Sequence, residues 1–334
     1  MQSRERMLKA LKGEPVDRVP VLCVDQTATY EQMEELGVYW PEANYNPGQM
    51  AGLAAGAYTV LGFDAVRVPF CQTVESEALG CVIKDGGREN VPGIRVHPYK
   101  AEDRPEFPED FLQRGRLPRL IEALKILKEM VGDRALVIGG VIGPFSIAGN
   151  LLGVTDLLRT SIKKPHLLEP FLEVGEKAAA LLGRELAAAG ADAICIEDMM
   201  CSMDMISPDA YRRIAWPWQK RLVENLGDIP TIIHICGKTD AIIEDMANLG
   251  ATAISVEEKT SAPEAIKKLA RYDRHIALIG GVNAPNTLYS GNIDKIIAEV
   301  RKAVADGYHM IAPGCSIPPG ASTDGLRAMV RAVC

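Results

Sequence analysis

The amino-acid sequence predicts an α/β fold, most simply a distorted (β/α)8 barrel of the TIM type. Short runs rich in Ile and Val alternate with segments of helical periodicity. Each run is too short for a buried helix and is typical of a parallel strand that is covered on both faces. Eight repeats of this alternation favour a closed barrel, although a doubly wound open sheet has a similar linear pattern. The predicted strands are 19–24, 64–68, 136–142, 191–196, 230–234, 252–256, 275–281 and 308–312.

Helices are predicted between these strands from the spacing of apolar residues and from start signals. Ser207-Pro208, Asn46-Pro47 and Ser261 before Pro263 are such signals, because Pro is favoured at the first helical position. The predicted helices are 3–12, 46–60, 117–131, 164–189, 207–225, 239–248, 263–271, 292–305 and 322–333.

One long connection interrupts the alternation between the second and third predicted strands. Within it, residues 78–98 resemble an inserted β-hairpin that turns at Asp85-Gly86-Gly87. No linker or change of composition divides the chain, so residues 1–334 are predicted to form a single domain.

Composition excludes several classes of function. The net charge of -7 and the absence of a basic cluster argue against a nucleic-acid partner. No apolar run is long enough for a signal peptide or a membrane span. The eight cysteines are too sparse and irregular for a disulfide framework. We therefore expect a cytoplasmic protein without a membrane partner, in which any special cysteine is a ligand or a nucleophile.

Three residues that bind soft metals lie at predicted strand ends. His234 and Cys236 are separated by one residue, so an extended strand end points both side chains to the same face. Cys315 follows the last strand in a loop rich in Pro and Gly. Carboxyl ends of barrel strands open on one face, so the three residues are able to converge on one ion with a free coordination position, as in catalytic zinc sites. The pair alone is also compatible with a hydrogen-bonded histidine and a buried cysteine.

Several segments carry a family resemblance that spans essentially the whole chain. They are RERMLKALKGEPVDRVPV (4–21), QTATYEQMEELGVYWPEA (26–43), GFDAVRVPFC (62–71), GGVIGPFSIAG (139–149), HICGK (234–238), SVEEK (255–259), GGVNAP (280–285) and APGCSIPP (312–319), of which the last four are the most specific. In these segments the chain resembles the uroporphyrinogen decarboxylase superfamily and, within it, the methylcobamide:coenzyme M methyltransferases. An arginine-rich substrate loop, which the decarboxylases carry near the N-terminus, is absent, so porphyrinogen decarboxylation is not expected.

The resemblance implies a catalytic zinc ion held by His234, Cys236 and Cys315, with Glu257 in the open position when no thiol is bound. It also implies transfer of a methyl group from a methylcobamide to a small thiol such as coenzyme M. The chain has no D-x-H-x-x-G corrinoid motif, so the methylcobamide is expected to arrive on a separate corrinoid protein.

Further residues near the predicted strand ends are candidates for this chemistry. Met199 and Met200 are adaptable apolar groups that suit a mouth receiving a flat macrocycle, or they fill the top of the barrel. Asp198 is a candidate cofactor-binding residue, which either supports a zinc ligand indirectly or caps the next helix. Arg67 and Lys238 are candidate cations for the sulfonate of coenzyme M, or ordinary charges.

Rival interpretations of the function remain at this stage. The acceptor is alternatively homocysteine or tetrahydrofolate, or the enzyme methylates the corrinoid from a methylated substrate. A catalytically silent barrel that binds a tetrapyrrole or a corrinoid protein is the alternative from another class.

Overall fold

Seven parallel strands form a curved wall, and they follow one another around the sheet in chain order. In the computed structural model, which describes residues 1–334, each strand pairs in parallel with the next one. Sequential neighbours are the order of a barrel, so the open doubly wound alternative is excluded. The wall strands are β1 (Ala65–Val68), β4 (Leu136–Ile142), β5 (Ala193–Glu197), β6 (Thr231–Ile235), β7 (Ala253–Val256), β8 (Ala277–Val282) and β9 (Met310–Pro313).

The eighth position of the wall is filled by an irregular segment, where the sequence predicts a strand over 19–24. Val21 makes a single parallel bridge to Ile311 of β9, and the Leu22 N–H donates to the Ile311 carbonyl at 3.0 Å. On its other side, the Asp64 N–H donates to the Val21 carbonyl at 2.7 Å, and the Val21 N–H donates to the Asp64 carboxylate at 2.8 Å. The barrel is therefore closed, but by a few hydrogen bonds instead of a full ladder.

Successive side chains along each strand point to opposite faces of the wall, so the molecule has two hydrophobic cores. A cluster of 16 buried residues fills the interior of the barrel, and α1 (Ser3–Leu11) contributes Met7 and Leu11 to it. A larger cluster of 88 buried residues lies between the wall and the outer helices. Since Ala193, Ile232 and Ala253 belong to the inner cluster, every second residue after them also faces the interior.

The outer layer consists of helices joined to the strands by short loops, and all nine predicted helical segments contain helix. Asn46 and Ser207 cap their helices by accepting from the N–H groups of Gln49 and Ala210, whereas Ser261 makes no such side-chain bond. None of the helices combines the length and apolarity that crossing a membrane requires. Besides α1, the helices are α2 (Tyr30–Leu36), α3 (Pro47–Thr59), α4 (Val74–Ala78), α5 (Leu117–Val131), α6 (Pro144–Leu152), α7 (Val154–Lys163), α8 (Glu169–Ala188), α9 (Pro208–Ala210), α10 (Trp216–Leu226), α11 (Ile243–Asn248), α12 (Ala262–Leu269), α13 (Ile293–Ala305) and α14 (Thr323–Ala332), with π-helical turns at Tyr211–Ala215 and Ala284–Leu288.

The inserted hairpin is confirmed. Strands β2 (Val82–Lys84) and β3 (Gly93–Val96) pair in antiparallel fashion outside the wall. Gly86 has a φ of +83°, and a Cβ there would lie 2.2 Å from the Asn90 carbonyl oxygen, so the turn requires glycine.

Candidate metal centre

The candidate metal centre lies at the carboxyl ends of β6, β7 and β9. His234 is the fourth residue of β6, and Cys236 follows two positions later on the same inward face. Ser255 of β7 lies opposite His234 in register, and Glu257 again follows two positions later. Cys315 comes from the loop after β9. Three different segments of the wall thus contribute side chains to one end of the barrel.

Two thiols and a carboxylate converge at this point. One ligand atom each from Cys236, Glu257 and Cys315 lie within 4.8 Å of one another, and all three side chains are half-buried. A hydrogen bond with Cys315, together with burial, raises the pKa of the Cys236 thiol. Sulfur and carboxylate donors at this spacing suit zinc. Cys236 and Cys315 are close together, as the sequence predicts, and the role of all three residues as ligands stays a prediction.

His234 lies beside this trio without belonging to it. Its ring is fully buried, and Nδ1 lies 3.0 Å from the Ser255 hydroxyl. Nε2 is buried without a hydrogen-bond partner. Burial lowers the pKa of His234, so the imidazole is held in the neutral form that binds metals. A buried ring nitrogen without a partner is uncommon in folded proteins, so Nε2 is a candidate donor, and the predicted role of His234 as a metal ligand stays a prediction.

Arg67, a predicted cation for the sulfonate, is buried inside the barrel. The side chain is 1% exposed and forms ion pairs with Asp25 at 3.2 Å and with Glu197. Gly140 on the neighbouring strand leaves room for it, because a Cβ there would lie 2.2 Å from a guanidinium nitrogen. Two carboxylates, one of them far away in the sequence, already neutralise the guanidinium, so this arrangement does not favour the predicted contact with a sulfonate, which stays a prediction. We call Asp25, Arg67 and Glu197 the interior ionic cluster.

Burial has the largest influence on the pKa of Glu197 in this cluster. It raises that pKa well above the ordinary value, while the positive charge of Arg67 lowers it. The Gln72 amide donates to Glu197 at 2.9 Å and to Asp25 at 3.3 Å, so both carboxylates have a second hydrogen-bond donor.

Asp198 is a buried helix cap, and its predicted role at the cofactor stays a prediction. The side chain is fully buried, and it accepts from the Ser146 N–H at 2.7 Å at the start of α6 and from the Gln219 amide at 2.8 Å. The cap serves α6, which precedes β5 in the chain, and not the next helix. The Asp198 N–H donates to the His234 carbonyl at 3.0 Å, which ties this residue to the metal centre through the backbone.

The two predicted methionines differ in their surroundings. Both are half-buried after β5, but Met200 packs against the main core, and its sulfur occupies the space over Gly149. The Met199 side chain does not pack against that core, so it is less restrained by neighbours than Met200. The Lys238 side chain is exposed and forms no ion pair, while its N–H donates to Asp204 at 3.2 Å.

Four residues around the site were not identified from the sequence: Asp25, Glu197, Ser255 and Lys259. Glu197 and Ser255 follow inward residues at a period of two, so strand alternation carried a signal for both. Lys259 lies in the quoted SVEEK segment, and its ammonium contacts Glu257 at 2.8 Å. Nothing in the local sequence links Asp25 to Arg67, because their contact depends on closure of the barrel.

The fold is a parallel barrel, and its candidate site has two thiols at the carboxyl end of the strands. Comparison with known proteins shows the family to which such a chain belongs. The uroporphyrinogen decarboxylase (URO-D) family model matches residues 2–334, and the chain belongs to this family. It is 41% identical over 330 residues to the methylcobamide:CoM methyltransferase MtaA of Methanosarcina barkeri, covering 98% of this chain and 96% of that protein. It is 34% identical to the methylcobamide:CoM methyltransferase MtbA of Methanosarcina acetivorans, with the same coverage.

A solved structure agrees with these relatives. A methyltransferase from Methanosarcina mazei superposes with a TM-score of 0.94 at 39% identity, covering 99% of this chain and 98% of that one. The barrel architecture predicted from the sequence is therefore confirmed. Uroporphyrinogen decarboxylases are more distant, as illustrated by 25% identity to that of Anaeromyxobacter sp..

Proposed function

We propose that this protein is a zinc-dependent methyltransferase that moves a methyl group from a methylated corrinoid protein to coenzyme M. The observation that carries the proposal is the convergence of Cys236, Glu257 and Cys315 at the mouth of the barrel. It occurs in a chain that matches methylcobamide:CoM methyltransferases over nearly its full length.

Four side chains would hold the zinc ion. Cys236 and Cys315 supply the two thiolates, and burial keeps His234 neutral with Nε2 free to bind. The Ser255 hydroxyl orients the imidazole through Nδ1. Glu257 supplies a carboxylate that an incoming thiol is able to replace. When bound, zinc supplies the Lewis acidity that converts a substrate thiol into a thiolate at neutral pH.

The donor set favours a thiol as acceptor. The two thiolates balance the charge of a divalent cation, and the imidazole is neutral. A third thiolate would therefore give the site a net negative charge and leave the substrate sulfur nucleophilic. Tetrahydrofolate would present a nitrogen nucleophile, for which such a sulfur-rich environment offers no comparable advantage.

The methyl donor enters from the open end of the barrel. Because the chain lacks a corrinoid motif of its own, we assign the methylcobamide to a partner protein that docks at this mouth. Met199 is half-buried and is not packed into the main core, so it is available to contact the macrocycle.

The function is tested by supplying the purified zinc-loaded protein with methylcobalamin and, separately, coenzyme M, homocysteine or tetrahydrofolate. We expect methylation of coenzyme M to be fastest and to be lost in Cys315→Ala together with the bound zinc. Cys334→Ala is the matched control, because that thiol is exposed at the C-terminus. Methyl transfer to tetrahydrofolate alone would contradict the proposal, and so would full activity without zinc.

A further inference from the structure

Lys259 contacts the metal centre directly. Its ammonium lies 2.8 Å from the Glu257 carboxylate and 3.9 Å from the Asp204 carboxylate. The lysine side chain is 49% exposed and Glu257 is 16% exposed. A partly exposed cation therefore lies between the solvent and the trio of Cys236, Glu257 and Cys315.

The other candidate cations lack this combination. Arg67 is sealed inside the barrel, with Asp25 and Glu197 as its partners. Lys238 is exposed, but its side chain makes no ion pair with the trio. Lys259 is the cation that both contacts a member of the trio and is accessible from solvent.

We infer that Lys259 binds the sulfonate of the substrate and thereby selects an anionic thiol over a neutral one. The inference rests on the proposed function and adds the residue that determines acceptor specificity. A sulfonate oxygen accepts a hydrogen bond from an ammonium as a carboxylate does, and the charge on both partners strengthens the bond. The substrate would thus take over both contacts of Glu257. Its sulfur would bind the metal, and its sulfonate would bind Lys259.

The dimensions and charges of the site agree with this exchange. Coenzyme M separates its thiol and sulfonate by two carbons, and Glu257 itself bridges the thiol cluster and Lys259 with a single carboxylate. Before substrate enters, Glu257 and Asp204 neutralise the ammonium. When Glu257 leaves, the sulfonate restores the lost negative charge beside Lys259.

The test compares the binding of coenzyme M and 2-mercaptoethanol to the zinc-loaded protein by titration calorimetry. The two thiols share a two-carbon spacing and differ in the sulfonate. The variants are Lys259→Gln, Lys259→Arg and Lys238→Gln. Lys267→Gln is a matched control, because Lys267 is an exposed lysine on α12 of the same strand-helix unit.

We expect Lys259→Gln to weaken binding of coenzyme M by about tenfold or more, as loss of a charge-assisted hydrogen bond predicts. Binding of 2-mercaptoethanol should change much less, and Lys259→Arg should retain most of the preference for coenzyme M. The ratio of the two affinities isolates the sulfonate contact, since any change in how Glu257 competes for the metal affects both thiols alike.

An unchanged ratio in Lys259→Gln would overturn the inference, and a ratio that collapses only in Lys238→Gln would move the role to Lys238. Methyl transfer is assayed separately on the same preparations. A wild-type protein that prefers coenzyme M through Lys259 but transfers no methyl group would refute the proposed function while leaving this binding role in place.

Discussion

Replacing Arg67 by Met tests whether the interior ionic cluster supports the barrel or binds substrate. The substitution keeps much of the side-chain volume and removes the charge. Asp25 and Glu197 are then left in the barrel interior, where they are 2% and 0% exposed. We expect a large loss of stability with little direct effect on thiol binding.

The magnitude follows from the isolation of these carboxylates. Removing one partner of a buried ion pair costs about 3–5 kcal/mol, because it leaves an uncompensated charge. Protonation of a carboxyl group limits the cost, at about 1.4 kcal/mol for each pKa unit. We therefore expect the variant to lose about 3 kcal/mol of unfolding free energy at pH 7.

The loss should shrink on acidification. Burial already raises the pKa of Glu197 in the wild type, and removing Arg67 raises it further. A carboxyl group whose folded pKa exceeds its unfolded value binds protons more readily in the folded state. Stability of the variant relative to wild type thus increases as the pH falls from 7 toward the unfolded value near 4.5.

Urea unfolding followed by tryptophan fluorescence at pH 7 and pH 5.5 measures both effects. Glu197→Gln in the Arg67→Met background is the control, since it removes one of the stranded charges and should recover part of the stability. A loss below about 1 kcal/mol, accompanied by selective loss of coenzyme M binding, would refute the structural role and restore Arg67 as a substrate-binding cation.

Three further outcomes are expected. Cys315→Ala should weaken zinc binding in chelator competition by more than the roughly 10–100-fold that loss of an outer-shell partner costs, and stoichiometric zinc at wild-type affinity would exclude Cys315 as a ligand. Met199→Ala should slow methyl transfer from the corrinoid protein more than from free methylcobalamin, and the opposite order would remove Met199 from the docking surface. Asp198→Ala should lower the unfolding free energy by about 1–2 kcal/mol through loss of the α6 cap, and a raised KM for the corrinoid protein at unchanged stability would contradict this.

The wall strands could be predicted because each is a short apolar run between helices. Over 19–24 the run is equally apolar, but only Val21 forms a bridge, so local composition does not distinguish a full strand from a closing segment.

Four helices of the structure are not predicted from the sequence. Helix α6 is buried on nearly all sides and hides its periodicity, and α4 has only five residues. Helix α7 has the apolar spacing of an amphipathic helix, so its sequence did carry a signal.

The candidate site was only partly accessible from sequence. The topology of a parallel barrel explains why His234, Cys236 and Cys315 could be placed at one end. The pairing of Arg67 with Asp25 and Glu197 depends on which side chains share the interior, and sequence separation conceals this. The helix that Asp198 caps could not be predicted for a related reason, because that helix comes before Asp198 in the chain.

Because the barrel closes irregularly, the two sides of the candidate metal centre are held in different ways. Cys236 follows a central strand that has a complete ladder on each side. Cys315 follows β9, whose outer edge carries a single bridge. The loop is held to the N-terminal segment, because the Ile317 N–H donates to the Gln26 carbonyl at 2.9 Å and the Gln26 amide donates to the Ile317 carbonyl at 2.7 Å. A displacement of the N-terminal segment would therefore move the Cys315 thiol relative to Cys236, so the distance between the two thiols depends on the segment that closes the barrel and not on β9 alone.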